Sequence, residues 1–200
     1  MNSTAAPAAE EEVASKPFHA RGVIVDVHTF FSTAARQQSD VQPAHEQLAG
    51  RALVTEEGVF AFLETPENAE QLQHTEPGSV VHVRGKLLER GALLHVDSLQ
   101  KITTVPLIDF ARFRNDPGRQ ATLKGVNKCQ CGLAVADLPH SCELGHLHHL
   151  EAADGRIYHY LQFASGKDTF LGKDSHFQAV EVTARVLPGQ YLLVERVVLE

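Results

Sequence analysis

The chain has 200 residues, a hydrophobic share of 43% and a formal net charge of −7 at pH 7. This length allows one large domain or two small ones, and the apolar share is enough for a buried core. No apolar run approaches the roughly 18 residues of a membrane-spanning helix. An acidic chain without tryptophan is also poorly suited to binding a phosphate backbone. No region carries a net positive charge, so no basic face is expected.

Residues 1–17 are predicted to be a disordered leader. They are rich in alanine, glutamate and serine and lack the apolar core of a signal peptide. This composition is typical of the segment that follows a removed signal or lipid-anchor sequence. It therefore predicts an exported protein, periplasmic or extracellular. The alternative is the flexible tail of a cytoplasmic protein.

Residues 18–103 are predicted to form a first β unit. Residues alternate from Val23 to Val27 with the period of two that is typical of a strand. Thr65-Pro66-Glu67 has the hydroxyl, the proline and the acid of a helix start. Residues 32–43 are predicted to be a loop, and residues 44–49 one or two helical turns. Two hairpins are predicted from further strands at 51–55, 59–63, 79–88 and 92–100.

Residues 104–118 are predicted to be a connector, and residues 119–200 repeat the pattern of the first unit. The strand Arg156–Leu161 corresponds to Val59–Leu63, and the last two strands of the halves follow in the same order. We interpret this as a tandem duplication of a unit of about 90 residues.

The strand pattern of each unit, with a short helix before the fourth strand, resembles that of OB-fold barrels. The sequence therefore predicts a mainly β protein of two tandem five-stranded OB-like barrels, each with one or two short helices. A small SH3-like or sandwich unit is the alternative.

The segment from Cys129 to His149 carries all three cysteines of the chain and four of its twelve histidines. Thiolates and imidazoles at short spacing are the ligands that zinc and copper(I) select. On a strand, Cys129 and Cys131 would point to the same face. A helix in the second half of the segment would place Cys142, His146 and His149 on one face. The sequence therefore predicts a zinc or copper site formed by Cys129, Cys131, Cys142 and His146, with His149 as a spare or alternate ligand.

Other interpretations of the cysteines stay open. Cys142 could form a disulfide with Cys129 or Cys131, or all three could be buried thiols beside exposed histidines. The spacing C-x-C-x10-C-x3-H is not that of a standard zinc finger. His148 is predicted to point away from the cluster, and His159 and His176 are predicted to face solvent.

The first unit has no cysteine at the corresponding positions. Aligning the turn glycines of the two halves places Asp26 to His28 opposite the Cys129–Cys131 pair and His45-Glu46 opposite Cys142. His28, His45 and Glu46 are therefore candidates for a second, weaker metal site. The alternative is a repeat that has lost its site and keeps a structural role.

Gly22-Val-Ile-Val-Asp26, the loop with His45 and the glycine-turn hairpin resemble a poorly characterised group of small exported bacterial cysteine-containing β-barrel proteins. That group has the pattern G-x-V-V-D-x-x-C-Y, then H-x-x-C-A-x-x-C, a D-G-K-x-Y-x-L strand and a V-x-V-x-G hairpin. The second unit is similar to a sister form, with Asp154-Gly155 opening the same strand. The resemblance implies export and a cysteine-centred site and names no reaction. The first unit departs from it by lacking every cysteine.

The sequence thus predicts a metal-binding protein that is not an enzyme, with a metal ion as partner and no protein partner indicated. One alternative is a thiol redox protein using Cys129, Cys131 and Cys142. Another is an OB-type binding module for nucleic acid or protein, although the negative charge and the few aromatic residues argue against nucleic acid. Phe30 and Phe31 are predicted to be core residues rather than base-stacking platforms.

Overall fold

The structure is a computed structural model and describes residues 15–31, 41–43, 50–129, 148–164 and 177–200. It contains two closed five-stranded β-barrels in tandem and a few short helices, which confirms the predicted fold class. In this part of the chain, no helix has the length and apolar character needed to cross a bilayer.

The described part of the first half contains six strands, five of which form the first barrel. They are β1 (Ser15–Asp26), β2 (Val41–Pro43), β3 (Arg51–Val54), β4 (Val59–Leu63), β5 (Val80–Leu88) and β6 (Leu93–Lys101). Helix α1 (Val27–Phe30) follows β1, helix α2 (Pro66–Gln73) follows β4, and a 3₁₀ turn (Glu89–Gly91) joins β5 to β6. The barrel order is β1-β3-β4-β6-β5, and the pair β4–β6 is parallel. This is the strand order of an OB-fold, with α2 before the fourth barrel strand.

The second half repeats this topology. Helix α3 (Phe110–Arg114) lies in the predicted connector. The strands are β7 (Arg119–Cys129), β8 (His148–Ala152), β9 (Ile157–Ala164), β10 (Gln178–Leu187) and β11 (Tyr191–Leu199), and a 3₁₀ turn (Pro188–Gln190) joins β10 to β11. The order β7-β8-β9-β11-β10 closes with a parallel β9–β11 pair. The two halves therefore share one topology, as a tandem duplication requires.

The predicted start of α2 is confirmed. The Asn68 side chain accepts a hydrogen bond from Thr65 N at 2.8 Å and donates one to the Leu63 carbonyl at 3.0 Å. Pro66 occupies the first turn, where a missing backbone N–H costs nothing. These local bonds fix the helix between β4 and β5.

Three details differ from the sequence predictions. Ser15 to Pro17, predicted as part of the leader, belong to β1 and pair with β5. Val27 begins α1 instead of ending the strand. β2 lies in the predicted loop 32–43 and pairs antiparallel with Gln162–Ala164 of the second barrel. Residues 1–14 and 44–49 lie outside the described residues.

Each barrel encloses its own apolar interior. The first interior includes Leu53, Val81 and Leu94, and the second includes Tyr160, Val182 and Leu192. A third cluster joins the barrels. On the outer side of the first barrel, Ala61 and Leu93 contribute to it, and on the outer side of the second barrel, Leu161 and Leu193 do. Alternation along each strand explains the division, because successive side chains point to opposite faces. These strands are buried on both faces.

The two barrels meet through corresponding surfaces. Gly91, in the turn before β6, lies against Ile157 at the start of β9, where an added Cβ would be 3.0 Å from the Ile157 Cβ. Gly189, in the turn before β11, lies against Val59 at the start of β4, where an added Cβ would be 2.7 Å from the Val59 carbonyl oxygen. Each turn thus contacts the third strand of the other barrel. We infer an approximate two-fold relation between the halves.

This contact covers the surface on which OB-folds usually bind ligands, the outer face of the second and third strands. In the first barrel, Ala52, Val54 and Ala61 of that face are buried in the shared cluster. Phe30 and Phe31 also belong to it, which confirms that they are core residues.

Candidate site at the histidines of the second barrel

The register of β7 and β8 separates the described candidate ligands into two groups. Cys129 lies opposite His148, and Lys128 lies opposite His149. Neighbouring residues of a strand point to opposite faces. Leu150 of β8 belongs to the barrel interior, so His148 points inward with Cys129, whereas His149 points outward.

The inward group is a buried polar cluster at one end of the second barrel. Asn127, Cys129 and His148 are at most 3% exposed. The Asn127 Nδ2 and the His148 Nδ1 are 3.4 Å apart. Cys129 is fully buried, so its sulfur is shielded from solvent.

The outward group is a pair of buried histidines at the junction of the barrels. The Nδ1 atoms of His149 and His159 are 2.9 Å apart, and their rings meet edge to face with centroids 5.0 Å apart. The Nε2 atom of His159 lies 2.6 Å from the carbonyl oxygen of Gly91 in the first barrel. The ring of Tyr191 lies 5.3 Å from that of His159. The pair therefore depends on both barrels.

Burial keeps both histidines neutral. Desolvation lowers the pKa of His159 to about 4, against an opposing effect of the bond to Gly91. Desolvation, followed by the nearby His159 and His148, holds the pKa of His149 well below its ordinary value of 6.5. Neutral imidazole is the form that binds metals.

The hydrogen bonds then determine the position of each proton. A carbonyl oxygen only accepts, so the proton of His159 is on Nε2 and its Nδ1 carries a lone pair. His149 must therefore donate from Nδ1, which leaves its own Nε2 as a bare acceptor. Among the described residues, this buried Nε2 atom has no hydrogen-bond partner. A ring N–H held by a second group, with the other nitrogen bare, is the arrangement of a metal-binding histidine.

We expect nitrogen NMR of the metal-free protein at neutral pH to show His149 protonated at Nδ1 and His159 protonated at Nε2. Both protons are buried and hydrogen-bonded, so they should exchange slowly with solvent. A His149 ring protonated at Nε2 would contradict the proton order.

The structure does not describe most of the other predicted ligands. Cys131, Cys142, His146, His45 and Glu46 lie outside the described residues. The predicted helix is wrong for His148 and His149, which lie in β8 because they pair with β7.

His28 is half-buried in α1. Neither of its ring nitrogens has a hydrogen-bond partner in the described ranges. Burial lowers the pKa of His28, and Asp26 partly opposes this. Across the described residues, no group of three or more His, Cys, Asp or Glu is arranged to hold a metal.

Sequence reasoning missed His159. The prediction that it faces solvent is wrong, since it is 3% exposed. A signal was present: Ile157, Tyr158, Tyr160 and Leu161 surround it, and an unbroken apolar strand is typical of one that is buried on both faces.

Fold and site together define the class: a tandem OB-like barrel protein with a buried histidine pair at the junction of its barrels. Comparison of the chain with known protein families, with characterised proteins and with solved structures finds no match. The resemblance to exported cysteine-containing barrels therefore stays a prediction.

Proposed function

We propose that the protein binds one zinc or copper(I) ion with the segment from Cys129 to His149 and acts as a metal-binding module rather than an enzyme. The observation that carries this proposal is the bare, buried Nε2 atom of His149. A lone pair without a donor in a dry site is costly to bury, and coordination of a cation offsets that cost.

The chemistry of the segment fits such an ion. Cys131, Cys142 and His146 precede His149 by at most 18 residues and supply two thiolates and a second imidazole. A set of two sulfurs and two nitrogens suits tetrahedral zinc, and thiolate-rich ligation also suits copper(I). Since Cys129 points into the barrel, we assign the ion to the outward side and treat Cys129 as a residue of the polar interior.

Metal analysis of untagged protein purified under reducing conditions tests the proposal. We expect about one ion per chain, and a content near zero in Cys142→Ser and in His149→Gln, because each variant removes a ligand from a four-ligand site. His74→Gln is the matched control, since His74 is an exposed histidine of the first unit. Cys129→Ser should keep its ion.

A metal content near zero in the unaltered protein, with its thiols reduced, would contradict the proposal. Native and denaturing mass spectrometry of the same sample reports metal and thiol state together. A disulfide without metal would favour the thiol redox alternative, against which the full burial of Cys129 weighs. The burial of the usual OB binding face weighs against the nucleic-acid alternative. Export stays a prediction from the composition of the leader.

A further inference from the structure

The first barrel carries a basic face on the outer side of β1, β5 and β6, so the prediction that no basic face exists is wrong. Three cross-strand pairs form it, each of one cation and one histidine. The pairs are Arg84 with His19, Arg21 with His82, and Lys86 with His95. Burial alternates along these strands, and Arg21, Arg84 and His19 are exposed.

The cations of this face are not neutralised within the described part of the chain. No carboxylate there lies within ion-pair distance of Arg21, Arg84 or Lys86. Asp97 lies 3.3 Å from His95, and Glu67 acts on His95 from further away, so acids approach only that edge. Arg21 and Arg84 therefore present open guanidinium groups in a protein whose net charge is negative.

The second barrel provides an internal comparison. Its corresponding face, on β7, β10 and β11, also carries cations, and acids on the same strands pair with Lys124 and Arg185, whereas Arg196 has no carboxylate within ion-pair distance in the described part of the chain. Lys124 bonds Glu200 at 2.6 Å and lies 3.4 Å from Glu181, and Arg185 lies 4.0 Å from Glu195. Fewer cations are therefore paired with acids on this face of the first barrel than on the corresponding face of the second.

We propose that the basic face binds a short, extended acidic segment of a partner protein. A guanidinium group can donate two parallel hydrogen bonds to the two oxygens of one carboxylate. Alternate residues of a strand lie about 6.8 Å apart, as do alternate side chains of an extended peptide, so carboxylates at every second position can meet Arg84 and Lys86 in turn. This surface is separate from the histidine pair and from the contact between the barrels.

Charge and composition favour a polypeptide over nucleic acid. The rings on the basic face are those of histidines, and none of its described residues is a Phe, Tyr or Trp on which bases would stack. The net charge of −7 also repels a long polyanion, whereas a short acidic segment engages the local charges alone.

Fluorescence anisotropy with a short peptide of alternating glutamate and serine tests the proposal. We expect binding at low salt, about 20 mM, that weakens strongly near 200 mM, because exposed charges are screened. Arg84→Glu and Arg21→Glu should each weaken binding by at least about tenfold. The matched control is Lys124→Glu, which changes the net charge equally on the corresponding face of the second barrel and should leave binding within about twofold. Circular dichroism confirms that each variant is folded.

Four results would overturn the proposal. One is no peptide binding at low salt, and another is equal weakening by Lys124→Glu and Arg84→Glu. The third is equal binding of a peptide with glutamine in place of glutamate. Tighter binding of a short single-stranded DNA than of the acidic peptide would replace it with a nucleic-acid surface. None of these outcomes bears on the metal content.

Discussion

Gly125→Ala is expected to lower the free energy of unfolding by about 3 kcal/mol. A Cβ at this position would lie 2.2 Å from the carbonyl oxygen of Glu151 and 2.7 Å from the Cα of Ala152. Both atoms belong to the backbone of β8, so the strand that carries His148 and His149 must move. Thermal or urea unfolding measures the effect, which corresponds to a fall in Tm of about 6–12 °C for a chain of this size.

The matched control is Gly50→Ala. Among the described residues, no atom lies within 4 Å of a Cβ at Gly50, so we expect almost no change. The loss in Gly125→Ala should appear in a single transition, because the shared cluster couples the barrels. Equal stability of the two variants, or a separate transition for the second barrel alone, would contradict this account.

The second large effect is a loss of stability in acid. His159 has a pKa of about 4 in the folded, metal-free protein, below the ordinary value of 6.5 that applies to the unfolded chain. Between these two values the unfolded chain binds more protons, so stability falls as the pH falls. The stability that neutral His159 contributes is fully present above about pH 6.5, and its loss levels off near pH 4. The shift corresponds to about 3 kcal/mol. His149 adds a loss of the same sign.

His159→Gln isolates this contribution. Its amide nitrogen can donate to the Gly91 carbonyl and its amide oxygen can accept from His149, but the side chain does not titrate. We expect the unaltered protein to lose about 3 kcal/mol more than the variant between pH 6.5 and pH 4, as measured by urea unfolding across that range. Equal acid losses in both proteins would refute the assignment to His159.

Much of the fold could be predicted because its signals are local. The alternation around Val23, the start of α2 at Thr65 and the glycine turns each depend on residues close together in the chain. The same signals recur in both halves. Glycine is required at Gly22 in the first strand of one barrel and at Gly125 in the first strand of the other, because a Cβ at either position would meet a carbonyl oxygen of the next barrel strand. The strand β2 could not be predicted, because its only described partner is β9 of the other barrel.

The candidate site was predicted only in part. Thiolates and imidazoles at short spacing identified the segment and included His149. They could not reveal that β8 begins at His148, since pairing with β7 overrides the weak helix pattern there. The basic face was missed for a similar reason. A sum of charge over a region does not distinguish the faces of a barrel, and Arg21 meets His82 only through the register of β1 and β5.

The sequence by itself determined that this protein is mainly β, that it is built from two similar barrels, and that its cysteines and histidines gather in one segment. Hydrophobic period, turn residues and residue type are sufficient for these conclusions. Only the tertiary structure decided that the two OB binding faces cover each other and that His149 hydrogen-bonds His159. It also decided that the carbonyl oxygen of Gly91, 68 residues before His159, accepts a hydrogen bond from His159 Nε2. Contacts of this kind join segments far apart in the chain, so their geometry depends on the packing of whole barrels.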